Sequence, residues 1–404
     1  MKFKYTARNK TGELESGELE IGSERELADY LRNKGWLLTS AEAIKSEEKT
    51  HKEFKLPFFN QVKMVEKIFF TQNLQVMVKA GLSVSIALKT LAQQTTNKAF
   101  QIILIDLHQR VDKGDSLADS LALYPKVFPE LFVNMVKAGE KSGKLEDVLL
   151  QLTTQLRKSH ALIAKVRGAL TYPIIVITAM IGIGIAMITL VIPKITGIFE
   201  EVNATLPLPT RILIAISDFA VAHGLILAGL SIAMAIIFVR LIHIPRGRFI
   251  WHGLLLSLPI LAPILRKINL AKFARTFSSL IKTDIPVVQA FQITASTLGN
   301  SHYRTAVESA AERVKKGVQI ATILKEYDKL FPPLIVQMVL VGEETGTIDT
   351  ILEELAAFYE DDVDRTMSNL TTILEPVLIL ILGLGVGALA VSIIMPIYSL
   401  TQSF

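Results

Sequence analysis

The sequence predicts a mainly α, polytopic membrane protein: two homologous cytoplasmic bundles of about six helices each, three transmembrane helices and a small N-terminal α+β domain. Three observations carry this. The chain says nearly the same thing twice, as FPELFVNMVKAGEKSGKLEDVL from Phe128 to Leu149 and as FPPLIVQMVLVGEETGTIDTIL from Phe331 to Leu352; ten of the 22 positions are identical, 203 residues apart. Half of the 404 residues are hydrophobic and the mean hydropathy is +0.41, yet 20% are charged, a mixture that fits membrane spans joined to solvated domains. Three stretches reach the roughly 20 apolar residues that a bilayer requires.

Residues 1–55 read as the α+β unit and its linker. KFKYTA and ELESGELEI alternate as strands around a turn at Asn9 to Gly12. SERELADYLRNKG is a capped helix, with Ser23 as N-cap, Glu26 as its capping-box partner, Leu27, Tyr30 and Leu31 as the apolar stripe and Gly35 just past the end. WLLTSAEAI closes as a strand, and KSEEKTHKEFK is a charged, solvated linker. The opening MKFKYTARNK lacks the apolar core of a signal peptide, so none is expected.

Residues 56–168 form the first bundle in this reading. FFTQNLQVMVKAGLSVSIALKTLAQQ breaks at Gly81 into two helices, AFQIILIDLHQRVDKG is a third stopped by Gly114, and others run from Pro129 to Ala138 and from Lys144 onward. The last has no stop signal before the first apolar span. A shift of 203 places Phe70 on Phe273, Gly114 on Gly317, Tyr124 on Tyr327, Pro173 on Pro376 and Pro193 on Pro396 without a gap. Residues 241–372 are therefore a second bundle. Each module ends in a transmembrane helix, at 169–192 and 373–400, expected to begin and end near proline; Tyr172, Pro173, Pro193, Glu375, Pro376 and Pro396 mark those boundaries. The second span, at 218–240, returns the chain after an external loop at 193–217, so that both bundles share one side. Arg157, Lys158, Lys165 and Arg167 before the first span, and Arg240, Arg246 and Arg248 after the second, put the bundles and the N-terminus in the cytoplasm and the C-terminus outside.

No chemistry-bearing set is visible. The absence of cysteine excludes disulfides, thiolate catalysis and Cys-ligated zinc. The net charge of +5 is modest, and no basic cluster is interleaved with aromatics as a nucleic-acid surface would be. The seven histidines show no metal spacing. AGEKSGKLED lacks the Gly spacing and the Ser/Thr of a phosphate loop, and its second copy lacks the lysine. No cofactor is expected. His223 and Glu375 are the only ionisable residues deep enough to suggest an intramembrane path; a transporter or intramembrane enzyme is the alternative they would support.

Two sets of repeated residues stand out. Gly139, Glu140 and Gly143 recur as Gly342, Glu343 and Gly346, and are candidates for a partner interface; the plainer reading has each carboxylate capping the helix that follows the turn. Gly182, Gly184 and Ala186 in the first span, and Gly383, Gly385 and Gly387 in the third, place small residues four apart, as close-packed membrane helices do. They would pack the two spans together or pair copies of a homo-oligomer.

The opening FKYTARNKTGELESGELEI with LRNKGW, the pair VMVKAGLSVSIAL and LIKTDIPVVQAF, the duplicated G-E-x-[ST]-G turns and the LTYP entering the first span resemble the type II secretion protein F and type IV pilus protein C family over essentially the whole chain. The resemblance implies a non-enzymatic platform in the bacterial inner membrane. It implies as partners a cytoplasmic hexameric ATPase, pilins or pseudopilins, other inner-membrane assembly components, the lipid bilayer and further copies of the chain, with no direct contact to nucleic acid.

Overall fold

The computed structural model describes residues 2–9, 14–21, 23–44, 61–201 and 208–401. Two compact units divide the chain, Met1–Gln61 and Val62–Phe404.

In the first unit β1 (Lys2–Asn9) lies between β2 (Leu14–Glu20) and β3 (Trp36–Ile44), antiparallel to both. Alternation along β1 turns Phe3, Tyr5 and Ala7 inward, where Leu27 and Leu31 of α1 (Glu24–Asn33) cover them. The Ser23 hydroxyl accepts the Glu26 N–H at 3.3 Å, and Gly35 takes the left-handed conformation (φ 84°) past the helix end. Tyr30, expected on the buried stripe, is exposed, and the Lys34 ammonium sits 4.9 Å above its ring. Most of the expected turn (10–13) and the expected linker (45–55) fall outside the described residues.

The second unit repeats itself helix for helix. The first module contains α2 (Met64–Lys79), α3 (Val84–Gln94), α4 (Lys98–Asp112), α5 (Leu117–Ala122), α6 (Glu130–Ser142) and α7 (Leu145–Ala186). A π turn (Met187–Val191) joins α7 to α8 (Ile192–Glu201). The return helix α9 (Leu208–His243) leads through α10 (Pro245–Ser257) into the second module. That module contains α11 (Leu261–Lys282), α12 (Val287–Thr297), α13 (Ser301–Val314), α14 (Ile320–Lys325), α15 (Pro333–Thr345) and α16 (Ile348–Thr401). Shifted by 203, α3, α5 and α6 share both ends with α12, α14 and α15, and α7 and α16 share their start.

Each module is built on an aromatic cluster. Phe70 lies 5.7 Å from Phe100 and 5.6 Å from Phe128; in the second copy Phe331 lies 5.3 Å from Phe273 and 5.6 Å from Tyr303. Tyr303 stands where the first module has Phe100, and its hydroxyl donates to the Leu330 carbonyl at 2.7 Å, as a buried phenol must. Burial pushes that phenol well above the usual tyrosine range. The buried apolar residues of both modules form one cluster. At the seam Gln155 of α7 donates to the Thr276 hydroxyl of α11 at 3.1 Å, Lys158 meets Glu360 at 3.4 Å, and Lys165 meets Asp364 at 2.7 Å.

Among the described residues three helices are long and apolar enough to cross a membrane: Leu145–Thr196, Thr210–His243 and Ile348–Ser392. The pair α10 and α11, bent by 112°, passes the same test jointly. It belongs to the bundle instead, because α11 carries Arg266, Lys267, Lys272, Arg275 and Lys282 and spends Lys267 and Arg275 on ion pairs with α16. Two expectations are corrected. The prolines do not begin or end the helices: Pro173 lies inside α7, Pro193 inside α8, and Pro376 and Pro396 inside α16. A proline removes one helical hydrogen bond, which membrane helices tolerate when the freed carbonyls find other partners. Before Pro193 the helix widens into the π turn, where the buried Ser217 hydroxyl donates to the Ile188 carbonyl at 2.6 Å. Nor is 193–217 a loop, being helical to Glu201 and again from Leu208.

Candidate docking surface at the duplicated turns

Each residue of the repeated Gly-Glu turn has its own geometric task. Gly143 and Gly346 close α6 and α15 in the left-handed conformation, at φ 70° and 72°, which costs a residue with a Cβ about 1–2 kcal/mol. Gly139 and Gly342 let the chain double back closely. A Cβ on Gly139 would stand 3.0 Å from the Val148 side chain and 3.2 Å from the Leu145 backbone, and one on Gly342 would stand 3.0 Å from the Ile348 backbone.

The carboxylates do something the local sequence does not show. Glu140 accepts the N–H groups of Leu117 and Ala118 at 2.6 and 2.8 Å, and Glu343 those of Ile320 and Ala321 at 2.9 and 3.2 Å. Each therefore caps the short helix 23 residues back, α5 or α14, and not the helix that follows its turn. A six-residue helix has few internal hydrogen bonds to offset its four unpaired N–H groups, so two charge-assisted bonds matter to it. The flanks of these helices differ between copies. Asp106 on α4 accepts from Arg110 and from the Tyr124 hydroxyl at 2.6 and 2.7 Å, and both bonds hold its carboxyl below the usual range. The second module instead uses a two-bond pair, Arg313 with Glu326 at 2.6 and 2.7 Å.

The turns are alike in backbone and unlike in charge. Around the first, Lys137, Lys141 and Lys144 are exposed; the matching positions in the second are Leu340, Glu344 and Thr347. The first turn also faces the second module. Lys144 reaches Asp284 at 3.4 Å and Asn134 meets Gln289 at 3.1 Å across a cleft of about 500 Å³. Asp284 is the only non-glycine at positive φ (59°) among the described residues, and it occupies the position of Gly81 in the first copy.

The small residues of the spans form no seam within the chain. A Cβ on Gly182, Gly184, Gly383, Gly385 or Gly387 would meet nothing within 4 Å, so the first and third spans do not pack through them. What joins the spans is polar: the Thr210 hydroxyl of α9 donates to the Ser392 carbonyl of α16 at 2.9 Å, beside the Ser217 contact to the π turn. Tyr172, Glu375 and Pro376 are exposed on their helices. His223 meets the Phe219 carbonyl of its own helix at 3.3 Å and stacks on the Phe219 ring. Among the described residues no three His, Asp or Glu side chains converge as metal ligands would.

The family model described as "Type II secretion system (T2SS), protein F" matches residues 70–193 and again 273–396, the same 203-residue offset, and the N-terminal domain of that protein matches residues 1–42. The type IV pilus assembly protein PilC of Myxococcus xanthus is 34% identical over 98% of this chain and 94% of its own. PilC of Thermus thermophilus is 34% identical over 98% of both chains, and type II secretion system protein F of Pseudomonas aeruginosa is 30% identical over 99% of this chain and 98% of its own.

Proposed function

The chain belongs to the type II secretion system protein F family, and from that premise we propose that it is the inner-membrane platform of a type II secretion or type IV pilus machine, coupling a cytoplasmic hexameric ATPase to the assembly of pilins or pseudopilins. It acts as a scaffold, not an enzyme. The observation that carries this reading is the duplication itself: two superimposed plans share one core yet present turns of opposite charge character on the water-exposed bundles. A repeated shape with unrepeated charge suits a pseudo-symmetric partner whose subunits must be told apart. In this reading Glu140 and Glu343 hold the turns in shape, and the exposed neighbours Lys141 and Glu344 make the contact. The rival transporter or intramembrane enzyme would need polar groups converging within the spans. His223 and Glu375 lie exposed on different helices and do not supply them.

The test is co-purification of the cognate ATPase with the full chain from membranes. Lys141→Glu should weaken capture by about tenfold while the thermal melting of the platform stays unchanged, since an exposed charge contributes little to the fold. Unchanged capture by Lys141→Glu and Glu344→Lys together would remove the turns from the docking surface.

A further inference from the structure

The duplication breaks at one place with no part in the docking reading. Where α7 leaves the bundle for the membrane, it forms with α11 an apolar groove of about 420 Å³, within the ~300–1,000 Å³ range of small-ligand sites. Leu162, Ile163, Val166, Leu170 and Ile174 line it from α7, spaced three and four apart as one helical stripe. Lys272 from α11 and Arg167 from α7 stand at its edge. Lys272 has no hydrogen-bond or ion-pair partner among the described residues, whereas Lys165 on α7 is taken up by Asp364. Burial with no carboxylate beside it holds the Lys272 amine below the usual lysine value. The second copy does not keep these residues: Arg365, Thr366 and Asn369 stand at the positions of Leu162, Ile163 and Val166, and Phe69 at that of Lys272. The apolar stripe and the cation occur together once.

We propose that this groove holds one anionic phospholipid of the cytoplasmic leaflet, an acyl chain along the α7 stripe and the phosphate between Lys272 and Arg167. Position and charge both point to a lipid. The lower wall, Leu170 and Ile174, already belongs to the apolar helix that crosses the bilayer, so the groove is continuous with hydrocarbon and its cations stand at headgroup depth. A half-buried, unpaired ammonium is costly, and a headgroup of net negative charge offsets that cost more fully than an apolar protein face, or than a zwitterionic headgroup whose phosphodiester is countered by its own cation. A soluble anion would satisfy Lys272 but leave the stripe unused. The bound lipid would bridge the first span to the second module, beside the Lys158 and Lys165 ion pairs. The inference rests on the membrane-spanning reading of α7 and is independent of ATPase docking.

Native mass spectrometry of the detergent-purified full chain, titrated in parallel with phosphatidylglycerol and phosphatidylcholine, provides the test. The expected result is one retained phosphatidylglycerol per chain, displaced neither by phosphatidylcholine nor by inorganic phosphate. Lys272→Met keeps the side-chain bulk and removes the charge, and should raise the apparent Kd at least about tenfold; Arg167→Gln should raise it less. Ile163→Trp, which fills the groove and keeps both cations in the chain, should also remove the retained lipid. Equal retention of the two lipids, displacement by inorganic phosphate, or unchanged binding by Lys272→Met and Ile163→Trp would each overturn the proposal. The chain has no cysteine, so a spin label on Ile163→Cys in phosphatidylglycerol vesicles checks the rival occupant: oxygen-accessible and uncoupled signals support lipid, and spin–spin coupling between copies overturns it.

Discussion

At the scale of single residues, Glu140 shows how a repeated motif can be legible while its reason is not. Two copies of Gly-Glu-x-x-Gly announced a constrained turn, and the left-handed Gly143 and Gly346 are what that pattern requires. The acceptor role of the glutamates was hidden, because Leu117 and Ala118 lie 23 and 22 residues away and nothing local links them to Glu140. The expected local signal, a carboxylate near the start of the next helix, pointed to α7, whereas the side chain turns back to α5. The contact has a measurable consequence. Glu140→Ala should lower the stability of the full chain by about 1–3 kcal/mol, the range for charged hydrogen bonds at a helix start. Amide exchange should quicken first at Leu117 and Ala118, and Glu140→Gln, which keeps one acceptor oxygen, should recover part of the loss. Unaltered exchange at those two amides in Glu140→Ala would show that the cap contributes nothing.

At the scale of elements, the longer bundle helices and their order were readable because apolar periodicity and Gly stops are local, whereas α5, α8 and α10 were not. The failures came from prolines and from length. Proline reads locally as a helix end, but Pro173 and Pro376 sit inside helices of 42 and 54 residues, where lipid offers no competing hydrogen-bond partner that would favour an ending. The packing of α11 against α16 was not readable either, since it depends on residues 85 apart. Gln72 and Arg157, bonded at 2.6 Å in the first module, become Arg275 and Glu360 in the second, bonded twice at 2.9 Å. The latter pair is only 11% and 14% exposed, and Glu353 stands 3.7 Å from the same guanidinium. Glu360→Ala should therefore cost about 1–3 kcal/mol, since it removes two charged hydrogen bonds from a nearly buried Arg275 and leaves only the longer contact to Glu353, measured by denaturant or thermal unfolding. Arg275→Met combined with Glu360→Met should recover most of it. A double variant as unstable as Glu360→Ala would mean that the pair's packing, not its charge, holds α11 to α16.

At the scale of the whole molecule, the seam between the modules bears on which way the chain crosses the membrane. Lys158 meets Glu360, and Lys165, two turns further along α7, meets Asp364, one turn further along α16. Both helices therefore advance in the same direction, and the first and third spans that continue them cross the bilayer in parallel. Parallel crossings need a return, which α9 supplies. The flanking cations, Arg157, Lys158, Lys165 and Arg167 before the first span and Arg240, Arg246 and Arg248 after the second, favour the cytoplasm for both bundles. The acidic YEDDVDR before the third span opposes that rule only in appearance, since Glu360, Asp362 and Asp364 are engaged by Arg275, Lys267 and Lys165. A reporter active only outside the cytoplasm should then work when fused after Thr205 or after Phe404 and stay silent after Arg248. Activity after Arg248 would mean that α9 does not return the chain, whereas activity after Lys282 with silence after Phe404 would mean that α10 and α11, bent though they are, form a fourth crossing. The parallel spans, the shared core and the docking surface built on them would fall together.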